Sequence, residues 1–152
     1  MNISLDLIKK LRLATSAGIA DCRQALVDSG GDFAKAKKLL VSRGLEKAAK
    51  KEGKETAAGI VEAYVHTTAR VGVLVELRCE TDFVARTDDF KHLAHELALQ
   101  VAAMDPKDVA ALLKSPSIRD AAVSVDSMVK SVIAKVGENI AVARFIRFEI
   151  GN

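Results

Sequence analysis

The chain has 152 residues, 49% hydrophobic and 28% charged, with few Pro or Gly, a composition that suits a globular protein and argues against disorder. That length supports one domain of ordinary size or a small module joined to a modest core, and no apolar run approaches the ~20 residues needed to span a bilayer. The net charge of +3 is too small to define a partner by itself; two cysteines in apolar patterns, Cys22 and Cys79, read as buried thiols, and with no charged, apolar, small-residue leader a cytosolic protein is expected.

Ser4 is placed to cap a first helix, whose Leu7, Ile8, Leu11 and Ala14 form one stripe ending near Thr15, Ser16 and Gly18. A second stripe of Ile19, Cys22, Ala25 and Leu26 stops at Ser29, Gly30 and Gly31. Asp32 caps a third helix bearing Phe33, Ala36, Leu39 and Leu40, with Gly44 as its stop. Three short helices over residues 1–45 predict a compact bundle. Residues 46–58, rich in Lys, Glu and Ala, predict an exposed helical linker. Residues 1–56 carry twelve Lys/Arg against seven Asp/Glu, which raises a nucleic-acid hypothesis. Phe33 is the only aromatic there, however, so stacking surfaces are missing and a solvated basic face is the better reading.

From Gly59 the period changes to two. Val61, Ala63 and Val65 alternate with Ile60, Glu62, Tyr64 and His66, a short Thr67–Arg70 connection follows, and Val71, Val73, Val75, Leu77 and Cys79 form the second arm of a hairpin. A long helix over about 88–104 starts at the cap Thr87, carries Asp88 and Asp89 where carboxylates suit the positive dipole end, and stops at Asp105 and Pro106. Residues 107–114 suggest a short helix. A weaker helical pattern runs from Ile118 to Val136 and ends at Gly137. The last segment, Ile140 to Ile150, is apolar on nearly both faces, which predicts a strand that pairs centrally or joins a partner chain. The fold class expected is α+β: an N-terminal three-helix bundle, a linker helix, and over 59–152 a small, mainly antiparallel three-stranded sheet packed with helices.

Strand and long helix meet at Cys79-Glu80-Thr81-Asp82-Phe83-Val84-Ala85-Arg86. Corners of this kind usually carry polar turn residues, yet here Phe83 and Val84 stand among charges. Phe83 either turns inward as a plug between sheet and helix or points outward as an aromatic anchor for a partner, with Asp82 beside it. His92, His95 and Glu96 lie close together on the long helix, but the histidines are three apart and the two-histidine zinc motif sets them four apart, so no metal site is expected. No Ser, His and acid constellation, P-loop or dinucleotide-binding glycine pattern occurs, which leaves covalent catalysis without support.

The string TDFVAR (Thr81–Arg86) resembles the signature of the bacterial translation elongation factor Ts family. Three further stretches resemble the same family in the same order: Leu7–Leu26 at the start, Arg70–Glu80 in the middle and Ala134–Phe145 near the end. The resemblance implies a guanine nucleotide exchange factor of protein biosynthesis that promotes GDP release from elongation factor Tu. Its partner would be met in both GDP-bound and nucleotide-free forms, without a cofactor, a nucleic acid or a membrane. It also implies that residues 1–45 are a bundle of the ubiquitin-associated type, and that Thr81, Asp82, Phe83 and Val84 contact the partner near its Mg²⁺ and phosphates. A second contact falls to Arg12, Ile19 and Ala20, where family members commonly carry two methionines at the last two positions; Ile19 has the alternative of being bundle core. Only one of the two half-cores of longer members fits between Gly59 and Asn152. Shorter relatives form homodimers, so a homodimer through the C-terminal strand is expected.

Overall fold

The computed structural model describes residues 2–152. Three helices open the chain: α1 (Leu5–Thr15), α2 (Ile19–Asp28) and α3 (Phe33–Ala49). Local chemistry sets their ends. Ser4 Oγ accepts the Leu7 N–H and Asp32 accepts the Lys35 N–H, each satisfying a first-turn donor, while Ser16 closes α1 in the left-handed region at φ 56°. Ile8, Leu11, Cys22, Ala25, Leu26, Ala36 and Leu40 bury one another in a core belonging to the bundle.

The predicted stop at Gly44 does not occur, and of the expected helical linker over residues 46–58 only 46–49 are helical, as the end of α3. Helix α3 runs straight through Gly44 to Ala49, because the glycine lies against a neighbour: a Cβ built on it would sit 3.4 Å from Ala134 Cβ. Tertiary packing here overrides the cost of a helical glycine. Beyond it Ala48 is buried in a second, larger core, so one helix contributes to both. Turns around Lys51–Gly53 then lead into the sheet.

The remaining elements are β1 (Ala58–Val65), β2 (Val71–Cys79), α4 (Asp82–Ala85), α5 (Asp88–Met104), α6 (Val109–Lys114), α7 (Val125–Val136) and β3 (Ile140–Glu149). The sheet is antiparallel in the order β1-β2-β3, so β2 is central and the last strand lies at an edge rather than in the middle. Gly59 is required where β1 pairs with β2, since a Cβ there would overlap the Leu77 carbonyl oxygen. The inner face presents Val73, Val75, Leu77 and Cys79 to Phe90, Leu93, Leu97 and Val101 of α5 and to Val129 and Ile133 of α7.

A bulge between Glu76/Leu77 of β2 and Val142/Arg144 of β3 resets the alternation. Val142 and Phe145 therefore both pack on the inner side, whereas Arg144, Ile146 and Phe148 face outward. On that outer side Val61, Val65, Leu74, Ile146 and Phe148 remain exposed.

The helix expected from Ile118 is confined to α7. Residues 115–124 instead form a folded-back loop closed by a bridge between Pro116 and Ser124. The buried amide of Gln100 on α5 organises it, donating to Pro116 O at 2.9 Å and accepting from the Ile118 N–H at 2.9 Å. No helix among the described residues is long and apolar enough to cross a membrane.

Candidate functional site

Between β2 and α5 the chain turns through Glu80, Thr81 and the single helical turn α4. A four-residue helix gains too few hydrogen bonds to offset its own nucleation, so its direction depends on what surrounds it. Helical geometry sends adjacent side chains about 100° apart, and this separates the two apolar residues. Val84 and Ala85 enter the main core, whereas the Phe83 ring is 81% exposed beside the exposed Asp82. Of the two readings open from sequence, the inward plug is excluded. Val84, expected beside Phe83 at a partner contact, turns its side chain into its own core.

Thr81, the remaining expected contact residue of the corner, is engaged from every polar atom. Its N–H donates to Glu138 Oε1 at 3.0 Å and its hydroxyl donates to Glu138 Oε2 at 2.7 Å. The same hydroxyl oxygen accepts the Val84 N–H, which makes Thr81 the cap of α4. Its carbonyl accepts the Cys79 thiol at 3.2 Å. Burial and, after it, the nearby Glu138 charge push the Cys79 thiol up from its ordinary range, so it stays a neutral donor. Next door the Asn139 N–H donates to Glu80 Oε1 at 2.8 Å. Glu138, Asn139 and Glu80 are thus part of the corner although sequence reasoning did not select them as site residues. The Gly-Glu-Asn step after a helix stop was visible, but no spacing rule links residue 138 to residue 81.

The other expected contact residues, Arg12, Ile19 and Ala20, all lie on the surface around the α1–α2 turn. Ile19 is 55% exposed, which removes the alternative that it is bundle core. The described residues hold no group of three or more His, Cys, Asp or Glu suited to a metal ion. His95 Nδ1 lies 3.1 Å from Glu62 Oε1 and is occupied with that contact. What the corner offers chemically is an aromatic tip in an acidic setting on a braced bend. It offers no nucleophile.

Comparison with known proteins bears on this arrangement. A family model described as "Elongation factor TS" matches residues 80–152, a span that begins at the corner and includes the 137–139 turn. The chain is 43% identical to the elongation factor Ts of Thermotoga petrophila over 99% of this chain and 98% of that one. It is 39% identical to that of Fervidobacterium nodosum, covering 99% and 100%. The chain belongs to the elongation factor Ts family. The elongation factor Ts of Herpetosiphon aurantiacus is likewise 39% identical, and there the match covers both chains completely. The Herpetosiphon alignment runs over 197 positions against 152 residues here, so that elongation factor Ts has at least 197 − 152 = 45 positions without a counterpart, and full coverage of both chains makes the difference internal.

Proposed function

We propose that this chain releases GDP from elongation factor Tu by pressing the Phe83 ring, with Asp82 beside it, into the partner near the Mg²⁺ and phosphates. As a member of the elongation factor Ts family it is a nucleotide exchange factor of translation elongation in the cytoplasm, not an enzyme. Such a factor needs tighter binding to the nucleotide-free partner than to the nucleotide-bound one, and by linkage nucleotide then weakens the factor's own hold by the same factor. A cation bridging phosphates supplies much of what retains GDP, so displacing its ligands lowers the barrier to release without acid, base or nucleophile. The outward Phe83 carries this reading: a large aromatic side chain left in water on a braced bend is the kind of anchor that dominates interfaces. Thr81 and Val84 support it from below, while Arg12, Ile19 and Ala20 grip a second area of the partner.

The decisive experiment follows fluorescent GDP leaving elongation factor Tu in stopped flow. Adding this chain should accelerate release many-fold in a saturable manner; an unchanged rate overturns the proposal.

A second reading concerns assembly. We propose a two-fold homodimer in which the outer sheet faces of two copies pack together, β3 contributing Ile146 and Phe148. An open sheet face with Val61, Val65, Leu74, Ile146 and Phe148 exposed is an unusual apolar area for a monomer. Both charge signs flank it, Glu76 lying between Arg78 and Arg144, so a symmetry copy can meet its own rim without like charges opposed. Light scattering at micromolar concentration should give twice the 16.3 kDa chain mass, and Phe148→Asp should halve it. A single-chain particle for the unaltered protein overturns the dimer.

A further inference from the structure

The corner and the turn before β3 exchange carboxylates. Glu138 accepts the Thr81 N–H and hydroxyl, and Glu80 accepts the Asn139 N–H, so each segment supplies an acid for the other's backbone. These bonds join residues 57 and 59 positions apart, and the two to Glu138 are, apart from the Cys79 thiol, the side-chain ties on Thr81 from outside α4. The turn is also held from its other side. Lys51 Nζ donates to Gly137 O at 2.7 Å, and the buried Asn139 side chain donates to Lys54 O at 2.9 Å. Lys51 and Lys54 follow directly on α3, the third helix of the bundle that presents Arg12, Ile19 and Ala20. Residues 137–139 are therefore bonded both to the corner and to the segment that follows α3.

We infer that Glu138 is a positioning residue: by holding Thr81 through two bonds it fixes the direction in which α4 presents Phe83, and so sets the maximal exchange rate without itself meeting the partner. The inference rests on the reading of Phe83 given above. Without Glu138, α4 keeps the packing of Val84 and Ala85 but its cap residue loses both bonds to the turn before β3, and a ring placed even an ångström away acts poorly on its target. Grip through the bundle does not depend on that bond.

The test compares Glu138→Ala, Glu138→Gln, Thr81→Val and Phe83→Ala in the fluorescent-GDP release assay, titrating each variant against elongation factor Tu. For Glu138→Ala the maximal rate should fall about tenfold while the half-saturating concentration changes by less than about twofold. Glu138→Gln keeps an acceptor for the Thr81 N–H and should recover most of the rate. Thr81→Val should also lower the maximal rate, and combining it with Glu138→Ala should cost less than the product of the two single effects, since both remove one shared bond. Thermal melts at the assay temperature establish that each variant is folded. If Glu138→Ala keeps the full rate while Phe83→Ala loses it, the positioning role is overturned and the corner reading stands. If both keep it, the corner reading itself fails. A loss matched by the unfolded fraction, or one that glutamine does not relieve, also overturns the positioning role.

Discussion

The two surfaces proposed to meet elongation factor Tu both hold apolar side chains out to solvent, and they are built differently. Around the α1–α2 turn, Ile19 and Ala20 are exposed beside Arg12, and the turn is held by bonds that close within a few residues: Thr15 Oγ1 donates to Leu11 O, the Ala17 N–H to Thr15 Oγ1, and the Cys22 thiol to Ala17 O. The Phe83 corner is tied instead to residues nearly sixty positions away. Local closure costs little chain entropy and leaves a surface able to adjust to what it meets. Long-range closure costs more and returns stiffness. A gripping surface tolerates adjustment, whereas an element that has to displace part of a partner does not.

The contrast predicts different kinetic signatures. Phe83→Ala should have the largest effect: a maximal exchange rate lowered by about 30-fold or more, the scale of a hot-spot side chain, with thermal stability unchanged because the lost ring is exposed. Leu11→Ala comes next. Leu11 is fully buried in the bundle, so truncation should cost about 2–4 kcal/mol in denaturant unfolding of that region, and in exchange assays should raise the half-saturating concentration while sparing the maximal rate. Equal loss of both parameters would show that the bundle and the corner do not act separately. Ala20→Met should lower the half-saturating concentration roughly three- to tenfold, since added methylenes beside Ile19 are worth about 0.8 kcal/mol each when buried. The smallest effect is expected for Ser16→Gly. Ser16 occupies the left-handed region at φ 56°, and glycine should stabilise the bundle by roughly 0.5–1 kcal/mol without altering exchange.

Much of this architecture is legible in the sequence because it rests on local chemistry. The caps at Ser4, Asp32 and Thr87 start helices where a short polar side chain precedes an apolar stripe, and Gly137 ends one where a left-handed residue is needed. What is not legible depends on partners distant in the chain. Gly44 reads as a stop, yet it is a contact point for Ala134. The 115–124 loop is shaped by Gln100, an amide that looks like one more polar helix residue. At the corner the sequence identifies the segment but not which of Phe83 and Val84 faces water, because that follows from the direction of a single helical turn. The acid that braces this turn lies on the far side of the sheet's last connection.

The bulge at Ala143 gives one strand two allegiances. Before it Ile140 and Val142 serve the interior; past it Ile146 and Phe148 serve the outside, with Phe145 and Arg147 directed inward, the latter donating to Ala102 O at the end of α5. Were Ala143 to take an ordinary place in the ladder, strict alternation would exchange the dry and wet sides of everything downstream, carrying a guanidinium out of its bonds and two bare hydrocarbons toward the helices. The looping-out of a single alanine, chemically inert, thereby decides which side chains of the strand's second half the molecule keeps for itself and which it shows to others.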